Sequence, residues 1–168
     1  MKDYALLFEG INQTLAADPG PSGEYFLTDA FQYMVDQGAH IEIAPVAGWY
    51  DCGKTETLLE TNAHLLATSR GGVSDTAHIE DSTLDAAVVR IEADATLVGS
   101  TLGPNVTVEE GARIIGSTLS DCIVGAGATV EDSQLSHSII GAASRIQGFG
   151  GSLSVSDHSE VTGASDDG

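Results

Sequence analysis

The spacing of apolar positions changes character near Gly72. Ahead of it the intervals are helical. Leu7, Ile11 and Leu15 fall at i, i+4 and i+8 with Leu6 beside them, which predicts a helix over 4–17. Asp18-Pro19-Gly20-Pro21 stops that helix. Thr28 is placed to N-cap a second helix, with Phe31 and Met34 or Val35 on its apolar face and its end at Gly38. Ile41-Glu42-Ile43-Ala44-Pro45-Val46 alternates as a half-buried strand does, and Gly48-Trp49-Tyr50-Asp51 predicts a second short strand. A third helix after Gly53 carries Leu58, Leu59, Leu65 and Leu66 on one face, and Ser69-Arg70-Gly71-Gly72 follows as a linker. Helix, helix, strand, strand, helix is too little to close a sheet covered on both faces, so residues 1–68 are expected to be a piece of a larger α/β domain.

Beyond the linker one phrase is written four times. Ile79-Glu80-Asp81-Ser82-Thr83-Leu84 returns as Leu97-Val98-Gly99-Ser100-Thr101-Leu102, then Ile114-Ile115-Gly116-Ser117-Thr118-Leu119, then Val130-Glu131-Asp132-Ser133-Gln134-Leu135. A period of about 17 residues marks stacked repeats. Between the phrases an aliphatic residue recurs with a small one four places on: Val73 with Ala77, Ile91 with Ala95, Val108 with Ala112, Val124 with Ala128, Ile140 with Ser144, Val155 with Ser159. Three hexads of this kind make one turn of a three-sided parallel coil of about 18 residues, with the aliphatics inward and each small residue near a corner. The fold class expected is therefore mostly β. A hexapeptide-repeat solenoid of about four to five coils over 69–168 follows a partial α/β piece over 1–68. The column Ile79, Leu97, Ile114, Val130 is its test. The helix after Gly53 is expected to cover the first coil, and Gly148–Gly151 with the acidic end at Asp166-Asp167 to blunt the last.

Charge narrows the function. Among 168 residues, 6 Lys and Arg face 25 Asp and Glu, a net charge of −19. Such a surface disfavours nucleic acid and anionic membranes and suits a folded protein adapted to high salt. Cys52 and Cys122, the 2 cysteines, form no CxxC, so neither a zinc site nor a disulfide framework is expected. No leader and no long apolar run appears, and a soluble cytoplasmic chain is expected.

Two segments of the first part carry a family resemblance. Gly23-Glu24-Tyr25-Phe26-Leu27-Thr28-Asp29-Ala30 resembles the GEYxLTDA segment of sugar-phosphate nucleotidylyltransferases, and Gly48-Trp49-Tyr50-Asp51-Cys52-Gly53 through Glu60-Thr61-Asn62 resembles their WxDxGxxExLLEAN segment. In that order, followed by hexapeptide repeats, they are most like the long-form glucose-1-phosphate thymidylyltransferases, whose C-terminal coil is a left-handed β-helix. The resemblance supplies that left hand. It implies a Mg²⁺-dependent transfer between a nucleoside triphosphate and a sugar-1-phosphate. Asp51 would be a metal ligand, Trp49 and Glu24 would lie on the sugar side, and the β-helix would serve a homo-oligomer. No segment here resembles the family's GxGTRLxPxT loop or EKP lysine, so the resemblance implies a C-terminal portion inactive by itself.

Simpler structural roles stand beside these. Asp51 and Asp29 also suit helix starts, Trp49 a core, and Lys54 an exposed first turn. His137, at an expected corner, is the residue a hexapeptide-repeat acyltransferase would use as general base. A non-catalytic oligomerisation module is the other alternative.

Overall fold

The computed structural model describes residues 3–163, and their contacts separate into two compact units, Met1–Gly48 and Trp49–Gly168. The sequence boundary at 68 concerns a larger α/β domain. The contacts instead group α3 (Thr55–Leu65) with the coils, because Leu59 and Leu66 bury there.

The first unit is a helix pair, α1 (Tyr4–Ala16) and α2 (Leu27–Asp36), joined through a turn in which the Gly20 N–H donates to Asp18 Oδ1 at 2.9 Å. Gly10 makes the pairing close. A Cβ there would lie 2.7 Å from the Ala30 carbonyl oxygen, so only glycine lets the two backbones approach. Ala30 and Met34 are its buried hydrophobic side chains. Two local expectations fail. Phe26, not Thr28, stands at the start of α2, and no side chain caps it. Residues 41–46 and the run from Gly48 form no strand, because a strand needs an edge to pair with and the described residues of the first unit offer none.

The solenoid confirms the repeat reading. One face stacks β1 (Gly72–Val73), β4 (Val89–Ile91), β7 (Val106–Val108), the second halves of β9 (Thr118–Val124) and β11 (Gln134–Ile140), and β14 (Ser154–Val155). A second stacks β2 (His78–Glu80), β5 (Thr96–Val98), β8 (Arg113–Ile115), β10 (Thr129–Glu131), β12 (Arg145–Gln147) and β15 (Glu160–Thr162). The third stacks β3 (Thr83–Leu84), β6 (Thr101–Leu102), the first halves of β9 and β11, and β13 (Gly150–Gly151). All pairs are parallel and in register. Ile79, Leu97, Ile114, Val130, Ile146 and Val161 form one column; Val73, Ile91, Val108, Val124, Ile140 and Val155 form another.

The second face has 6 strands, so the stack runs to about six turns, beyond the four to five expected. Gly148–Gly151 does not break it: Gly150 and Gly151 pair with Gln134 and Leu135. Asp166-Asp167 lie outside the described residues.

Ala95, Ala112 and Ala128 are fully buried at the corners, as the spacing predicts, and their carbonyls accept from His78, Thr96 and Arg113 of the preceding turn. A second corner needs left-handed backbone. Asp81, Gly99, Gly116, Asp132 and Gly148 take φ between 47° and 63° there, the region that glycine and aspartate tolerate best. Next to this corner runs a ladder the periodicity did not announce. The hydroxyls of Ser82, Ser100, Ser117 and Ser133 each bond a carbonyl of their own turn and accept the N–H of Ser100, Ser117, Ser133 and Phe149 respectively. The serine in each phrase therefore satisfies buried backbone.

Helix α3, extended by a π turn over Leu66–Arg70, does not cover the first coil. It lies along the first face, against β7, β9 and β11. Leu59 and Leu66 face the coils while Leu65 is exposed, so the apolar stripe is narrower than the four leucines suggested. Asn62 anchors the helix: its amide donates to the Asn105 carbonyl at 2.9 Å and its oxygen accepts from Thr107 Oγ1 at 2.6 Å. The first coil remains open, with Ile79 38% exposed.

Candidate functional site

The run entering α3 holds two of the three residues singled out by resemblance. Asp51 Oδ1 accepts the Gly53 N–H at 2.9 Å, closing a turn that starts the helix. This is the role that local sequence assigns to an aspartate here. Its second oxygen is left to solvent. Trp49 is 84% exposed, so it packs into no core of this chain. The segment between is held in place. The Tyr50 ring stacks on His64 of α3 with centroids 4.5 Å apart, and the Tyr50 hydroxyl lies 2.9 Å from His64 Nε2. Sequence reasoning missed that pair, since neither residue belongs to an apolar stripe.

Glu24 belongs to the first unit. It lines a cleft of about 390 Å³ between α1 and α2, together with Tyr25, Asp29, Tyr33 and Asp36. Asp29 sits in the first turn of α2, where the helix dipole favours a carboxylate.

A larger cleft, about 580 Å³, opens between α3 and the coil flank. Thr55, Glu56 and Glu60 line one wall, Asp121, His137 and Ser154 the other. His137 is at a corner as expected, with φ 48°. Its Nε2 lies 4.0 Å from Asp121 Oδ2, the reach of an ion pair rather than a hydrogen bond, and its side chain is 72% exposed. Asp121 also accepts from Asn105 Nδ2 at 2.7 Å, which links the pair to the Asn62 anchor.

Cys122 faces the interior, and burial pushes its thiol above the ordinary value, as for an inert core side chain. Among the described residues no group of three or more His, Cys, Asp or Glu comes together to hold a metal ion. No helix among them is long and apolar enough to cross a membrane.

Two curated relatives match the sequence. The chain is 28% identical over 119 residues to the glucose-1-phosphate thymidylyltransferase of Streptomyces antibioticus, a match covering 70% of this chain and 28% of that protein. It is 30% identical over 164 residues to the low-salt glycan biosynthesis nucleotidyltransferase Agl11 of Haloferax volcanii, covering 74% of this chain and 44% of that protein. The chain thus spans less than half the length of either. No family model matches. By its motifs, its relatives and its parallel β-solenoid, the chain is similar to the sugar nucleotidyltransferases of the glucose-1-phosphate thymidylyltransferase kind.

Proposed function

We propose that this chain works as the C-terminal portion of a sugar-1-phosphate nucleotidylyltransferase, with the solenoid serving assembly. In the complete reaction a phosphate oxygen of the sugar-1-phosphate attacks the α-phosphorus of a nucleoside triphosphate. The bond from that phosphorus to the β-phosphate bridge breaks, and pyrophosphate leaves. The observation that carries the proposal is the run Trp49–Asp51, an indole and a carboxylate both turned to solvent immediately ahead of α3.

Mg²⁺ takes one or two carboxylates plus phosphates and water, so the open oxygen of Asp51 fits as one ligand of a shared site. When bound, the ion offsets the charge that builds between the phosphates. Trp49 offers a flat apolar wall to a sugar ring, and Glu24 is assigned to the sugar side by its motif. Similarity to nucleotidyltransferases supports cytoplasmic sugar activation as the setting. The chain by itself is proposed to be inactive.

Assembly is supported by charge. On a chain of net charge −19, the outward positions Thr83, Thr101, Thr118 and Gln134 make an uncharged strip along the third face, where a second copy meets little local repulsion. Light scattering at two salt concentrations reads the assembly directly.

The functional test is pyrophosphate release from deoxythymidine triphosphate, glucose-1-phosphate and Mg²⁺. The chain alone should release none. Mixed with the purified N-terminal part of Agl11, the chain should turn over, and Asp51→Asn should lower kcat by roughly 100-fold. Unchanged turnover in that variant, or an inert mixture, overturns the proposal.

One observation favours a second reading, hexapeptide acyl transfer: the pairing of His137 with Asp121 in the larger cleft. It requires acetyl-coenzyme A to raise the melting temperature and His137→Ala to abolish transfer.

A further inference from the structure

We propose that His64 of α3 is a positioning residue: through Tyr50 it fixes the aim of Trp49 and Asp51, with the contact of Cys52 on Thr61 as a second tie. The inference rests on the functional reading above and adds what holds the carboxylate and the indole in place.

The first ground is that the contacts alternate along the run. The Tyr50 ring stacks on His64 with an interplanar angle of 27°, and its hydroxyl lies 2.9 Å from His64 Nε2. Two residues on, the Cys52 thiol donates to Thr61 Oγ1 at 3.6 Å. Thr61 Oγ1 in turn donates to the Thr57 carbonyl at 2.7 Å, which fixes the direction of that hydroxyl. Residues 50 and 52 are thus tied to the helix. Successive side chains of an extended run point to opposite sides, so these ties turn Trp49 and Asp51 away from it. Both are exposed. The bond from the Gly53 N–H to Asp51 already closes the turn into α3, so the ties add an orientation to that start.

The second ground is the helix itself. In α3, Leu59, Asn62 and Leu66 fall at i, i+3 and i+7 and form the face seated on the coils. Thr57, Thr61 and His64 fall at i, i+4 and i+7, and at about 100° per residue they lie on the opposite face. One side of α3 is clamped to the solenoid, and the other carries the run. The solenoid thereby becomes the rigid base of Asp51, and site residues aimed from rigid elements hold their geometry best.

The third ground is that the brace buries little. Tyr50 is 52% exposed and His64 is exposed as well. Such a contact adds little to the stability of the coils. Its effect falls on the two residues either side of Tyr50.

The test reads the run in the full ¹⁵N-labelled chain. Backbone order parameters at Trp49, Tyr50 and Asp51 should be about 0.85, as in rigid backbone, and should fall below about 0.6 in His64→Ala. His64→Phe keeps a ring for Tyr50 to stack on and should restore them. The melting transition of the coils should stay in place in both variants. Turnover is read in the mixture with the N-terminal part of Agl11. There His64→Ala should raise the Mg²⁺ concentration for half-maximal rate by roughly 10-fold, and His64→Phe should recover it. The proposal is overturned if the run is already mobile in the parent, or if His64→Ala leaves its order parameters unchanged. A lowered melting transition of the coils in His64→Ala would show a structural role and overturn it too. Unchanged Mg²⁺ dependence in an active mixture would sink the positioning role alone. A run that loosens in His64→Ala beside an inert mixture would sink the catalytic reading alone.

Discussion

The two units solve the same problem in opposite ways. In the coils, each inward aliphatic meets an equivalent one from the turns above and below. Ile91, Leu97, Val108, Ile114, Val124 and Val130 are all fully buried. Between Tyr4 and Gly48 the apolar residues are as large, yet Ala30 and Met34 are the buried hydrophobic ones. The difference is where the burial partner comes from. A repeat writes its own partner one period on. The helix pair has no repeat to supply such a partner, and Tyr4, Phe8, Leu15, Phe26 and Leu27 stay more than half exposed.

The largest expected effect tests that contrast. Ile114→Ala leaves a cavity in mid-stack and should cost about 2–5 kcal/mol in urea unfolding, whereas Leu15→Ala should stay within about 0.5 kcal/mol. Similar losses at the two sites would erase the comparison. Next comes the serine ladder. Ser117→Ala removes the acceptor of the buried Ser133 N–H and should cost about 1–3 kcal/mol without changing far-ultraviolet circular dichroism. Within the helix pair, Gly10→Ala drives a methyl against the Ala30 carbonyl. It should reduce helical signal while leaving the main melting transition of the coils in place.

The smallest effect is electrostatic. Arg90 Nε donates to Glu92 at 2.8 Å, and this hydrogen bond holds the Glu92 carboxyl below its ordinary 4.5 despite partial desolvation. A depressed folded value means the stabilisation is complete above 4.5 and is lost as pH falls through the lowered value. Both side chains are about two-fifths exposed, so the contribution lies within about 0–1 kcal/mol. Stability measured from pH 7 to pH 3 should fall less steeply for Glu92→Gln than for the parent.

The same contrast explains what was legible in the sequence. The columns could be read because Ile79, Leu97, Ile114 and Val130 recur in one phrase, and parallel stacking places equivalents together. The serine ladder was written in that phrase too, but a hydroxyl signals nothing until the carbonyl beside it is known to be buried. The seat of α3 was not legible. Its leucines say that a face is apolar, and only the fold decides that the face meets β7, β9 and β11 rather than the open first coil. Ile41–Val46 carries a strand's pattern, and pattern without an edge yields no strand. Of the site, the motif around Trp49 and Asp51 was legible and the brace of Tyr50 on His64 was not, since that contact spans a turn and a helix.

The most direct measurement is the pairing register in solution, from nuclear Overhauser contacts between backbone protons of successive turns. In-register parallel stacking predicts a chain of contacts linking Leu97 to Ile114, Ile114 to Val130 and Val130 to Ile146. Contacts that join these residues in antiparallel order, or none between them, would contradict it.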